Sequence, residues 1–319
     1  MSDLLLVLKP GSYTSIQDLG RYGYQDIGVP VSGAVDQFAA RSANVLLGNP
    51  ESAAVLECTV IGPTLAVLRE ADLAVTGADM EIRLNSKTIP AWSSFRVEPG
   101  DLLRLKQVKS GCRAYLAVSG GFDVPLVMGS RSTCVTGGFG GIQGRSLRKG
   151  DFLPAVGGPL LSSEQALPTE LIPSAKQGEL LLRVIAGPQD HLFSRGLETF
   201  LSSAYRISAR ADRMGYRLEG PMIQRDPEAE QSIISEPSLP GNVQVPADGQ
   251  PIILLVEQTV GGYTKIATVI SPDLPHLAQA LPGQKVRFQA VSLEEARLAY
   301  QENEKHIQRL RETLTGPRI

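Results

Sequence analysis

The sequence predicts a mainly β protein built from more than one barrel-like or sandwich-like unit. Short apolar runs recur along the chain, and turn residues separate them roughly every 8–12 residues, a spacing typical of all-β barrels and sandwiches. The 319 residues include 32 glycines and 22 prolines, which suits many strands joined by tight turns. A chain of this length also exceeds one usual hydrophobic core, so we expect two domains.

The first domain is expected to cover residues 1–156 and to contain one helix among many strands. Glycines interrupt the first half of the segment 11–51, which predicts an ordered loop there. Apolar positions on one helical face then predict a helix over 35–47, with Ser32 or Asp36 available to cap its start. The predicted strands are 4–8, 54–60, 64–68, 71–75, 80–84, 95–97, 102–105 and 112–118.

The second domain is expected over residues 179–319, after a linker at 157–178. The linker segment mixes glycine, proline, serine and charged residues without periodicity. A capping box formed by Ser292 and Glu295 predicts the start of a C-terminal helix over 293–314. The other predicted elements are helices from 188 and over 272–280, and strands at 180–185, 205–209, 252–256, 266–270 and 285–290.

Composition gives no electrostatic argument for binding to nucleic acid or anionic membranes, because 31 basic residues are balanced by 33 acidic ones. Cys58, Cys112 and Cys134 are far apart and form no CxxC motif, so we expect reduced thiols rather than disulfides or zinc ligands. Three histidines are too few to favour a multi-histidine metal site. The apolar run Leu4–Leu8 is too short for a signal peptide, and no run approaches a membrane span. We therefore expect a cytoplasmic protein.

The connection Glu257–Tyr263 between two predicted core strands is the first candidate for ligand binding. It carries an acid, an amide, a hydroxyl and a phenol around Gly261 and Gly262. Adjacent glycines allow positive φ angles and let a ligand approach the backbone closely. The segment is therefore either a tight strand connection or a ligand loop.

An arginine cluster around a glycine turn is the second candidate. Arg210, Arg213 and Arg217 are close in sequence, and neighbouring guanidinium groups repel unless carboxylates or a bound anion neutralise them. Glu219 and Asp226 can satisfy the cluster, so a structural network and an anion site both remain open.

Two glycine-rich loops of the first domain complete the candidates. Gln17, Asp18 and Arg21 surround Gly20, and an Asp three residues before an Arg can pair with it locally. This segment is either a structural ion pair or part of a ligand site. Gly137–Gly144 is not a phosphate-binding loop, because no Lys-Ser/Thr pair follows it, which leaves a mobile loop or a lid.

Four stretches of the chain resemble the allophanate-hydrolase-subunit-2-like carboxyltransferase proteins. Together they span almost the whole chain in the order found in that family. One departure lies at 256–263, where many relatives carry an Asp-Arg pair that this chain lacks. The four stretches are GSYTSIQDLGRYGYQDIGVPVSGAVDQFAARSANVLLGNPESAAVLE (11–57), ARADRMGYRLEG (209–220), SEPSLPGNVQVPADGQPI (235–252) and GGYTKIATVI (261–270).

The resemblance implies two β-barrel-like domains, at least one of them cyclophilin-like, with a few peripheral helices. It implies a homologous subunit-1-like partner and, in the 5-oxoprolinase branch of the family, a third lactam-hydrolysing subunit. The expected activity is the ATP-dependent opening of 5-oxoproline to glutamate, with the chain inactive without its partners. Two alternatives are a non-catalytic regulatory protein that antagonises a kinase-inhibitor-type partner, and a carboxyltransferase-type protein acting on a urea-like amide.

Opening a lactam requires activation of a poor electrophile, so ATP and Mg²⁺ are expected at the level of the complex. Biotin is not expected on this chain, and no metal site is predicted on it. Arg213 and Arg210 can neutralise phosphoryl charge. Asp18, Glu57 or Glu257 can orient water or magnesium. The catalytic prediction is Asp18, Arg213 and Glu257. We expect one cleft, completed by the partner, with the substrate-binding residues Gln17, Arg21, Arg210, Gln244, Gln258, Thr259, Gly261, Gly262 and Tyr263.

Overall fold

The computed structural model describes residues 2–173, 178–229 and 232–315, which divide into two compact units. The first unit contains 2–21, 32–173 and 305–315. The second unit contains 22–31 and the described residues between 178 and 304. The units therefore differ from the predicted domains 1–156 and 179–319. Residues 22–31 belong to the second unit, and residues 305–315 at the end of the C-terminal helix belong to the first.

The described part of the predicted linker, 157–173, is packed as part of the first unit. The backbone N–H of Leu167 donates to the carbonyl oxygen of Trp92 at 3.0 Å, and the Leu167 side chain is buried. Isolated backbone hydrogen bonds hold this segment, rather than one repeating face of a helix or strand. Its sequence therefore shows no periodicity. The rest of the predicted linker includes 174–177, which lie outside the described residues.

Nine strands form one antiparallel sheet in the first unit. They are β1 (Ser2–Lys9), β2 (Tyr13–Gln17), β3 (Val55–Thr59), β4 (Thr64–Val67), β5 (Ala71–Leu84), β6 (Lys87–Ile89), β7 (Ser93–Val97), β8 (Leu102–Val118) and β9 (Phe152–Ala155). The main path runs β2-β3-β8-β4-β1-β9, and β5 branches from it by pairing with β6, β7 and β8.

Strands β5 and β8 are much longer than the sequence predicts. Each replaces two predicted short strands, and they contain 14 and 17 residues. They pair over most of their length, with register shifts after Gly77, whose φ of 92° suits a β-bulge. The bulge interrupts the apolar alternation of β5 without ending the strand. The sequence therefore predicts two strands, 71–75 and 80–84, where the structure has one.

The predicted helix over 35–47 is confirmed as α1 (Gln37–Leu46). Asp36 is its cap, since the Asp36 carboxylate accepts a hydrogen bond from Ala39 N at 2.9 Å. The helix packs on the sheet, where Thr76 Oγ1 donates to the Ala39 carbonyl oxygen at 2.7 Å.

A closed seven-stranded barrel forms the second unit, with the order β10-β17-β14-β15-β12-β11-β18. The short strands β13 and β16 form a separate two-stranded ribbon. The mainly β prediction is thereby confirmed. The strands are β10 (Leu180–Ala186), β11 (Tyr205–Ala211), β12 (Gly215–Glu219), β13 (Glu236–Pro237), β14 (Asn242–Val245), β15 (Ile252–Leu254), β16 (Val260–Gly261), β17 (Thr264–Val269) and β18 (Lys285–Ala290), and the helices are α2 (Ser194–Ser202), α3 (Leu274–Ala278) and α4 (Leu293–Thr315).

The two apolar runs at the centre of this unit become β15 and β17, but they do not pair with each other. Both pair with β14, in which Val243 faces Ile253 on one side and Ala267 on the other. The sequence does not predict β14, because Asn242 and Gln244 interrupt its apolar pattern. This unpredicted strand carries a residue of the candidate site.

The predicted capping box at the start of α4 is confirmed. Ser292 N donates to Glu295 Oε2 at 2.7 Å, and Glu295 N donates to Ser292 Oγ at 3.2 Å. The last part of α4 belongs to the core of the first unit, where Ile307 and Leu310 are buried. Its apolar residues at these positions explain why the helix continues beyond the second unit.

Candidate functional site

A cavity of about 560 Å³ lies beside the barrel of the second unit. Ile252 and Leu254 line it, whereas Ile253 between them is fully buried. Since side chains alternate along a strand, the cavity lies on the outer face of the barrel. Its lining consists of the polar residues Arg210, Asp212, Arg217, Gln244, Gln258 and Tyr263, the apolar residues Ala209, Ala211, Met214, Ile252, Leu254 and Val260, and the glycines Gly215, Gly261 and Gly262.

Gln244 places an unsatisfied donor in the wall of this cavity. Its side chain is 3% exposed, and its Nε2 atom has no hydrogen-bond partner. On β14, Gln244 pairs with Ile252 and Lys265 of the neighbouring strands. A Cβ atom at Gly261 would lie 2.7 Å from Nε2, so only glycine leaves this amide unobstructed.

Two arginines give the cavity a positive rim. Arg210 and Arg217 are exposed, and within the described part of the chain neither side chain pairs with a carboxylate. Among the described residues of the lining, Asp212 alone is acidic. Its Oδ1 accepts hydrogen bonds from Met214 N at 2.8 Å and Gly215 N at 3.2 Å. The lining therefore carries two positive charges and one negative charge.

The predicted catalytic residues Arg213 and Glu257 form a buried ion pair behind this cavity. Arg213 Nε donates to Glu257 Oε1 at 2.6 Å, and both side chains are about as buried as core residues. The backbones are joined as well, because Glu257 N donates to the Arg213 carbonyl oxygen at 3.0 Å. Neither residue lines the cavity, so the pair connects the arginine turn to the glycine loop. Their catalytic role stays a prediction.

The remaining predicted residues of the glycine loop are held mainly through backbone groups. Gln258 Nε2 donates to the Val260 carbonyl oxygen at 3.1 Å, and the Thr259 carbonyl oxygen accepts from Ser238 N at 2.8 Å. Thr259 does not line the cavity, whereas Tyr263 lines it and is about half exposed. The loop thus offers an amide, a phenol and two glycines to a ligand.

Asp18, the third predicted catalytic residue, is a buried hydrogen-bond acceptor in the first unit. Its Oδ1 accepts from Ser130 Oγ at 2.7 Å, Ser132 Oγ at 2.5 Å and Gly20 N at 2.8 Å. Its Oδ2 accepts from Arg131 N at 2.6 Å. Four donors therefore converge on one carboxylate that is 8% exposed.

Gln17 and Arg21 also belong to the first unit. Gln17 Oε1 accepts from Gly33 N at 3.1 Å. Arg21 is almost fully buried over the Phe139 ring, with its Nη1 atom lacking a hydrogen-bond partner, and burial lowers the pKa of its guanidinium. Asp18 and Arg21 form no direct ion pair, so the expected local pairing is wrong. Serine hydroxyls and backbone N–H groups donate to Asp18, whereas Arg21 donates to backbone carbonyl oxygens.

Glu57 is fully buried within the sheet of the first unit. Its Oε2 accepts from Tyr115 Oη at 2.8 Å and from Val35 N at 2.9 Å. Burial and the neighbouring carboxylate raise the pKa of Tyr115 well above its ordinary value. The carboxylate fixes the chain before α1, which is a positioning role.

The structure therefore brings together only part of the predicted cleft. The cavity is lined by Arg210, Gln244, Gln258, Gly261, Gly262 and Tyr263. The segment 17–21 belongs to the other compact unit and is not among the residues that line it.

The comparisons with known proteins identify the family. A family model described as the carboxyltransferase domain, subdomains A and B, matches residues 27–290. The chain belongs to this carboxyltransferase-domain family.

Proteins and structures similar to this carboxyltransferase-domain chain cover nearly all of it. The C subunit of 5-oxoprolinase from Escherichia coli K12 is 40% identical over 311 residues, which is 96% of this chain and 97% of the relative. The protein of the same name from Haemophilus influenzae is 36% identical over 307 residues, with the same coverage of both chains. In the crystal structure of K. lactis urea amidolyase, 32% identical, the similarity covers 97% of this chain and 20% of that chain with a TM-score of 0.90.

One polar cluster of the carboxyltransferase-domain fold is missed by reasoning from the sequence. Lys265 is 2% exposed, and its Nζ donates to Glu236 Oε1 at 2.6 Å. Gln189 Nε2 donates to the same oxygen at 3.1 Å, and the ion pair joins the β13–β16 ribbon to β17. The hydrogen bond from Lys265 lowers the pKa of Glu236. A lysine directly before the apolar run 266–270 was the available signal.

Within the described ranges, no three His, Cys, Asp or Glu side chains come close enough to hold a metal ion. Across the same residues, we find no helix with the length and apolar character that crossing a membrane requires.

Proposed function

We propose that this chain is the C subunit of an ATP-dependent 5-oxoprolinase, which opens 5-oxoproline to glutamate. The observation that carries the proposal is the 40% identity to the C subunit of Escherichia coli 5-oxoprolinase, which extends over 96% of this chain and 97% of that relative. The Haemophilus influenzae relative of the same name supports it at 36% identity.

The chemistry of the reaction is compatible with the residues in the barrel cavity. A lactam is a poor electrophile, and transfer of the γ-phosphoryl group of ATP to the amide oxygen activates it and releases ADP. Water then attacks the carbonyl carbon, the ring C–N bond breaks, and a second water releases phosphate to give glutamate. A cavity of about 560 Å³ lies in the usual size range of small-molecule sites. For the buried Arg213 and Glu257 we propose a positioning role, because the pair fixes the two segments that carry Arg210 and Gly261.

ATP and Mg²⁺ are proposed to act at the level of the complex. Magnesium is commonly held by one or two carboxylates together with nucleotide phosphates. We propose that a partner holds the nucleotide and its metal. The proposed partners are a homologous subunit-1-like protein and a third, lactam-hydrolysing subunit, all in the cytoplasm.

Co-expression of the chain with its two partners tests this function. We expect one complex by gel filtration at micromolar concentration, and ATP hydrolysis that rises at least tenfold when 5-oxoproline is added. Urea, tested in parallel, is expected to leave ATP hydrolysis at its basal rate.

Two outcomes would replace the proposal. A stable complex with the subunit-1-like partner but no 5-oxoproline-dependent turnover would support the regulatory, partner-antagonising function. Turnover stimulated by urea and not by 5-oxoproline would support a carboxyltransferase function.

A further inference from the structure

We propose that the barrel cavity of the second unit binds a small carboxylate that also presents a carbonyl oxygen, as a lactam acid does. Arg210 and Arg217 bind the carboxylate, and the buried Gln244 amide donates to the carbonyl oxygen. This inference rests on the proposed function for its substrate class, and it assigns roles to residues from the lining and the unsatisfied donor of the cavity.

The charge of the lining selects a ligand with a single negative charge. Arg210 and Arg217 contribute two positive charges, and Asp212 offsets one of them. Asp212 is itself held by two backbone N–H groups of the turn, so it does not move to neutralise an arginine. A net charge of one suits a carboxylate and is too small for a polyphosphate.

The Gln244 amide determines which group the ligand must carry in addition to its carboxylate. A buried donor without a partner destabilises the folded chain, so it persists where a ligand supplies the missing acceptor. Its Nε2 is such a donor in a side chain that is 3% exposed. An N–H group requires an acceptor atom, and the carbonyl oxygen of an amide or lactam is a strong one.

Gly261 keeps this donor accessible to the ligand. It lines the cavity, and a Cβ atom there would lie 2.7 Å from Gln244 Nε2. The backbone of Gly261 does not have a positive φ, so its need for glycine comes from this close approach. The apolar walls formed by Ile252 and Leu254 can pack against ring methylene groups.

Calorimetric titrations of the full chain with three ligands test the carboxylate-binding arginines and the Gln244 amide separately. They are 5-oxoproline, cyclopentanecarboxylate, which lacks the carbonyl oxygen, and 2-pyrrolidone, which lacks the carboxylate. We expect 5-oxoproline to bind about tenfold or more tightly than either analogue, since a hydrogen bond to a charged or buried group is worth that ratio.

Matched variants show which residues are responsible for the preference for 5-oxoproline over each analogue. Gln244→Leu is expected to remove the preference for 5-oxoproline over cyclopentanecarboxylate. Arg210→Gln combined with Arg217→Gln is expected to remove its preference over 2-pyrrolidone. Gly261→Ala should reproduce the Gln244→Leu result, because the added methyl group covers Nε2. Gln301→Leu and Arg195→Gln, at positions outside the cavity, are the controls and should leave all three affinities unchanged.

The outcomes distinguish this inference from the proposed function. Equal binding of the three ligands by the wild-type chain, or unchanged preferences in folded Gln244→Leu and Gly261→Ala variants, would overturn the site. A complex that turns over 5-oxoproline with an unchanged KM in Gln244→Leu would also overturn the site while leaving the proposed function intact. The expected binding pattern in a chain whose complex does not turn over 5-oxoproline would support the site and overturn the proposed function.

Discussion

An Arg213→Ala variant is expected to lose about 3–5 kcal/mol of unfolding free energy, because it leaves the Glu257 carboxylate buried and without its guanidinium. Both side chains are at most 6% exposed, so water cannot replace the lost partner. The same pair joins the arginine turn to the glycine loop, so ligand affinity should fall as well. Chemical denaturation of the full chain, followed by circular dichroism, measures the loss.

A double variant provides the control for this prediction. Arg213→Met combined with Glu257→Leu removes both charges, and it should be less destabilised than Arg213→Ala alone. Arg195→Gln, on the exposed surface of α2, should change the unfolding free energy by less than about 0.5 kcal/mol. If Arg213→Ala keeps its stability and loses only turnover, the residue acts chemically, as the sequence predicts.

Asp18→Ala is expected to cost at least about 3 kcal/mol of unfolding free energy, since each buried donor left without an acceptor costs about 1–3 kcal/mol. Four donors are affected, from Gly20, Ser130, Arg131 and Ser132. The loss should appear as a lower thermal midpoint of the full chain, before any assay of activity.

Asp79→Ala serves as the matched control in the same unit, because Asp79 is an exposed aspartate on β5. Its thermal midpoint should equal that of the wild-type chain. An Asp18→Ala variant with an unchanged midpoint but no 5-oxoproline turnover would contradict the role of Asp18 as a structural hydrogen-bond acceptor and support the predicted catalytic one.

Much of the fold follows from local sequence patterns. The cap of α1 by Asp36 and the capping box of α4 are short-range features, so the residues that form them are visible in sequence. The β5 bulge at Gly77 and the polar strand β14 were not predictable in the same way. Both depend on pairing with distant strands, which supplies the hydrogen bonds that the local pattern does not specify.

The sequence indicates several individual residues of the candidate site, but it does not indicate which of them come together in the folded chain. Gly261 and Arg210 stand out because adjacent glycines allow a ligand to approach the backbone and clustered arginines attract an anion. Gln244 is among the predicted substrate-binding residues, but its unsatisfied amide beside Gly261 depends on β14, which brings together residues 17 positions apart. Lys265 was hidden because its partner Glu236 lies on a separate ribbon.

The most direct test of the proposed function is the glutamate formed from 5-oxoproline and ATP by the partner subunits with and without this chain. We predict that glutamate forms only when the chain is present, and that the amount formed follows the amount of chain added until the complex is saturated. The same rate of glutamate formation from the partner subunits alone would contradict the proposal that this chain is a required subunit of the enzyme.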